Sequence, residues 1–103
     1  MSHDILGFDK AGEEIAYARF SMGNYNATIL YDLLDANNYN AGVSGSGDSS
    51  NFSIKQIENA LQSYNQLYKH SLPESWDQKQ ILLFLQNCLA TAQKEGSVAV
   101  FFG

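Results

Sequence analysis

The chain has 103 residues, 45% hydrophobic and 13% aromatic, with six Lys plus Arg against eleven Asp plus Glu and a formal net charge of -5. That length suits one ordinary domain with its own core, and the composition excludes an intrinsically disordered chain. The acidic balance and the single arginine, Arg19, weigh against nucleic acid, because phosphates call for clustered cations and Lys10, Lys55, Lys69, Lys79 and Lys94 are scattered.

The same scatter weighs against an anionic membrane surface, and no apolar run approaches the roughly 18 residues that span a bilayer. An acidic chain can instead mimic DNA, for which -5 is modest, or meet another protein. The lone Cys88 excludes an internal disulfide and a cysteine-rich zinc site. MSHDILGF has neither the basic nor the apolar segment of a signal peptide, so the expected location is the cytoplasm.

In chain order, residues 4–22 read as a β-hairpin around Asp9-Lys10-Ala11-Gly12, with Asp at the first and Gly at the last position of a type I turn. Its second strand separates Ile15, Tyr17 and Arg19 from Ala16, Ala18 and Phe20. Asn24 or Asn26 caps a helix running to about Asp35, with Ile29, Leu30, Leu33 and Leu34 as its apolar stripe and Ala36-Asn37-Asn38 as its end. Residues 37–52, NNYNAGVSGSGDSSNF, read as one long Gly/Ser/Asn loop, functional rather than structural and dispensable for folding. Ser53 and Gln56 fit a capping box flanked by a Phe52–Ile57 staple, and the helix they start runs to about His70. Pro73 breaks the chain, and Ser75 and Gln78 fit a second capping box. The long helix that follows buries Ile81, Phe84, Leu85, Cys88 and Ala92 and stops at Gly96. SVAVFF is a final strand.

The expected fold is α+β over residues 1–103. The N-terminal hairpin plus the C-terminal strand form a three-stranded antiparallel sheet, with three helices mainly on one face, in the order ββαααβ. No HxxxH, HxH or CxxC spacing supports a metal site, and Gly42-Val-Ser-Gly45-Ser-Gly47 lacks the Gly-Lys-Ser/Thr ending of a phosphate loop. The motifs therefore imply no catalytic residue, metal or cofactor.

The expected function is a small acidic protein-interaction domain of inhibitor, immunity-type or regulatory kind. The alternative is a small-metabolite or nucleotide-binding protein that clamps an anion with Arg19 and the 37–52 loop. Candidate binding residues are Arg19, Tyr17, Tyr25, Tyr39, Asn40, Ser44, Ser46 and Asp48, since Tyr, Asn and Ser make adaptable recognition surfaces. If the helices cover Ala16, Ala18, Phe20, Ala99 and Phe101, then Ile15, Val98, Val100 and Phe102 form an apolar face for self-association or a protein partner.

Overall fold

The computed structural model describes residues 2–69 and 75–103, so the expectations placed on His70 and Pro73 lie outside the described residues. The first hairpin joins β1 (Ser2–Phe8) to β2 (Glu14–Ser21). Asp9 holds the turn, because its Oδ1 accepts from the N–H groups of Ala11 and Glu13 and its carbonyl accepts from Gly12. Asn24 then caps α1 (Tyr25–Leu33) by accepting from the Asn26 N–H. The left-handed residue after this helix is Asp35 (φ 53), not an asparagine.

Residues 37–52 are not one irregular loop. A 3-10 turn (Asn37–Tyr39) and a bridge between Asn40 and Gly45 lead into a fourth strand, β3 (Asp48–Ser53). Gly45 lies so close to the main chain of Phe102 that a Cβ there would collide with its carbonyl. Both expected capping boxes form, at the starts of α2 (Ile54–Leu67) and α3 (Trp76–Glu95). Gly96, at φ 91, ends α3 and passes the chain to β4 (Ser97–Phe102).

The sheet is antiparallel, in the order β2-β1-β4-β3, so it has four strands rather than three. The outermost strand comes from the segment read as loop: DSSNFS carries five small polar residues and one aromatic, a composition with little β propensity. The helices lie over one face, where Ile5, Ala16, Ala18, Phe20, Phe52, Val98, Val100 and Phe102 are buried with Leu30, Ile57, Phe84, Leu85 and Cys88. The small Ala16 and Ala18 sit beneath the longest helix, consistent with close approach.

This corrects the face assigned to β4. Val98, Val100 and Phe102 point to the helices and are 0–1% exposed, whereas Ala99 and Phe101 are half-buried on the other side. VAVFF is apolar at both parities, so only pairing fixes its faces: Ile5 lies opposite both Ala18 and Phe102, and all three share the buried side. Ile15 is likewise partly buried against the core. The register shift between Gly7 and Phe8 bends β2 there and brings the Ile15 side chain towards Gly7 on the helix side.

Candidate interaction surface

The face of the sheet away from the helices carries Asp4, Leu6 and Phe8 from β1, Tyr17 and Arg19 from β2, Ala99 and Phe101 from β4, and Ser49 and Asn51 from β3. Tyr17, Leu6, Phe101 and Ser49 form one row across all four strands. Its centre is therefore apolar and its β3 side is small and polar. Tyr17 is 49% exposed, and Leu6, Phe8 and Phe101 are half-buried.

One polar cluster orders the β1–β2 side of this face. The Tyr17 hydroxyl donates to Asp4 Oδ1 at 2.8 Å, Ser2 Oγ donates to Oδ2 at 3.1 Å, and Arg19 Nε lies 3.5 Å from Oδ1. The hydrogen bond to the Asp4 carboxylate raises the Tyr17 hydroxyl above its ordinary pKa of 10.0, and burial and the Asp4 charge raise it further. The arrangement fixes two large side chains in place, while the exposed Arg19–Asp4 pair adds little stability.

The surface continues around the edge of β2 onto α3. Gln80 Oε1 accepts from the Arg19 N–H and Nε2 donates to the Arg19 carbonyl, each at 3.1 Å, so one side-chain amide takes both outward groups of Arg19. Asp77 Oδ2 accepts from Asn24 and Asn26, tying α3 to the start of α1. Around these bonds stand exposed Met22, Tyr25 and Trp76, and Leu83 lies two turns along α3 from Trp76. Trp76 is 74% exposed and borders a shallow depression of about 520 Å³ with Ser2, Arg19, Ser21 and Gln80.

Of the sequence-derived candidates, Tyr17 and Arg19 meet on this surface, and Tyr25 stands at its far end. Tyr39, Asn40, Ser44, Ser46 and Asp48 do not join them. Tyr39 stacks on Phe102, with ring centres 4.8 Å apart. Asn40 accepts from the Gly42 N–H, Ser44 bonds the Gly45 carbonyl, and Ser46 donates to Asp48, so these polar side chains hold their own segment together. His3 fastens it to the sheet. Its Nε2 donates to the Gly42 carbonyl and its Nδ1 meets the Tyr31 hydroxyl, each at 3.1 Å, since a carbonyl can only accept. Burial lifts the Tyr31 hydroxyl to about 12. Arg19 and β3 are separated by β1 and β4, roughly 14 Å at the usual strand spacing.

Val98, Val100 and Phe102 leave the candidate interface because they are buried, and Ile15 because it leans on the core. Leu6, Phe8, Phe101, Trp76 and Leu83 replace them. Two signals in the sequence could have found these residues: the alternation of Leu6 and Phe8 with Ile5, and the position of Trp76 and Leu83 outside the buried stripe of α3. Among the described residues no group of three His, Cys, Asp or Glu could hold a metal ion, and no helix is long and apolar enough to cross a membrane. Comparison with protein-family models, curated proteins and solved structures gives no match to this chain.

Proposed function

We propose that this chain is a small acidic protein-interaction domain without catalytic activity, an inhibitor, immunity-type or regulatory partner. It docks a protein across the open sheet face and the adjoining flank of α3. The observation that carries the reading is the composition of that surface: Leu6 and Phe101 at its centre, Tyr17 on the edge strand beside them, Trp76, Met22 and Leu83 on the flank, and the chain's single arginine between them. Tyr, Trp, Met and Arg are the residues enriched at protein interfaces, and Trp, Tyr and Arg dominate their hot spots. Size supports using both parts. A four-stranded face six residues long spans roughly 400 Å², about half of one partner's share in a standard interface, and the flank supplies the remainder. The unpaired, buried Cys88 suits a reducing compartment, so we place the protein in the cytoplasm.

The test is affinity capture from the native host with wild-type protein, Phe101→Glu and Trp76→Ala, each checked for an intact circular dichroism spectrum. The expected outcome is one specific partner, retained by wild type and lost by both folded variants. A partner retained equally by all three overturns the reading.

A further inference from the structure

The two edges of the sheet are finished differently. Asp4 and Gly103 exchange both backbone hydrogen bonds, so the odd residues of β4 face β1 and its even residues face β3. The register Ser50↔Val100 then turns the backbone of Asp48, Ser50 and Phe52 inward and that of Ser49, Asn51 and Ser53 outward. The Ser53 N–H is taken by Gln56 Oε1. The N–H and C=O groups of Ser49 and Asn51 have no partner among the described residues. On β2 the outward groups of Tyr17 are likewise without a partner among the described residues, but Gln80 takes both outward groups of Arg19, and the Ser21 carbonyl accepts from Asn24.

We infer that β3 is the docking strand for a second copy of this chain, joined antiparallel about a two-fold axis at Ser50 into a continuous eight-stranded sheet. Three features commit the edge to that occupant. First, a two-fold centred on Ser50 pairs Ser49 of each copy with Asn51 of the other and satisfies all four open groups of each chain. A centre at Asn51 would call on the Ser53 N–H, and one at Ser49 would call on Gly47, whose N–H is already given to Phe102. Second, the charges are complementary: this register sets Asp48 opposite Phe52 of the second copy, two residues before α2, whose first turn carries Lys55 and no acidic residue. Third, β3 carries neither a lysine nor a proline, the residues that usually keep an edge strand from pairing. The proposal does not depend on the protein partner above, because it uses the opposite edge.

The experiment is sedimentation velocity of the full chain from micromolar to millimolar concentration, with backbone amide exchange at both ends of the range. A concentration-dependent dimer is expected, with the Ser49 and Asn51 amides slowed only when concentrated and those of Ser50 and Phe52 slow throughout. Asn51→Pro deletes an outward donor and leaves the β4 ladder intact, so it should abolish the dimer in a folded protomer. Phe101→Glu, on the open face, should leave the dimer in place while losing the partner. A protein that stays monomeric at millimolar concentration overturns the inference, and so does a dimer in which Ser49 and Asn51 exchange as they do in the monomer. The exchange measurement uses wild-type protein and decides the matter even if Asn51→Pro does not fold.

Discussion

Phe101 and Phe102 are neighbours with opposite circumstances. Phe102 is fully buried and central to an aromatic group, stacked between Tyr39 and Tyr31, with Phe52 at its edge. Phe101 lies on the open face beside Leu6, half-buried and with no helix above it. The same residue type thus holds the fold together at one position and is available to a partner at the next. The difference comes from strand geometry alone, since successive side chains leave opposite sides of a sheet.

The largest effect should come from the buried member of this pair. Phe102→Ala removes the ring on which Tyr39 and Tyr31 stack and should lower stability by about 3–5 kcal/mol, read from denaturant unfolding. A loss below about 1 kcal/mol would mean that the two faces of β4 are energetically alike.

Alkali probes the same buried side. Burial pushes the Cys88 thiol from 9.0 to about 12 and the Tyr31 hydroxyl from 10.0 to about 12. Each group keeps its proton to higher pH in the folded chain than in the unfolded one. The unfolded chain therefore binds fewer protons in that range, and stability falls as pH rises. The contribution is complete below about pH 9 and is lost between there and pH 12, at up to about 1.4 kcal/mol per pH unit for each group. In tyrosine absorbance followed together with circular dichroism, the last tyrosine should ionise in the same step as the fold is lost. Full ionisation of all tyrosines with the fold intact would contradict the buried placement of Tyr31.

Gly45→Ala tests how far the buried side extends. A Cβ at this position meets the Phe102 carbonyl, so a loss of about 1–3 kcal/mol is expected in thermal or denaturant melts. An unchanged melt would return residues 40–47 to the status of a free loop. Phe101→Glu should have the smallest effect, within about 0.5 kcal/mol of wild type, because it changes a side chain with no helix above it. A larger loss would show that the open face contributes to the fold.

These contrasts explain which parts of the molecule were legible in the sequence. Turns and caps were, because their chemistry is local: Asp9 at the hairpin, Ser53 with Gln56, Ser75 with Gln78, and Gly96 at the end of α3. The buried stripe of α3 was, because Ile81, Phe84, Leu85, Cys88 and Ala92 recur at helical spacing. The fourth strand of the sheet was not. β3 is a strand because β4 offers it a ladder, a long-range cause that Ser and Asn do not announce. The orientation of β4 was hidden for the opposite reason, since an all-apolar run fits either face until Ile5 selects one. The candidate surface was half legible. Tyr17 and Arg19 followed from β2 periodicity, whereas Tyr39 is spent on Phe102 and the side chains of Asn40, Ser44 and Ser46 on their own segment, which residue type alone does not reveal.

The central position of β1 and β4 bears on how the chain reaches this state. These two strands are adjacent in the sheet yet lie at opposite ends of the described sequence, and Ile5 meets Phe102 only after every helix has been made. A growing chain can close the β1–β2 hairpin at once, but the inner flank of β1 stays bare until Ser97–Phe102 emerges, and β3 has nothing to pair with before then. Completion of the sheet therefore requires a long-range closure of β4 onto β1. Refolding should therefore be slower than the microseconds open to a helical bundle of this length and fall in the intermediate range of mixed helix-and-sheet domains. Stopped-flow mixing would register that closure as the burial of Phe102 and the onset of protection along β3 in the same kinetic phase.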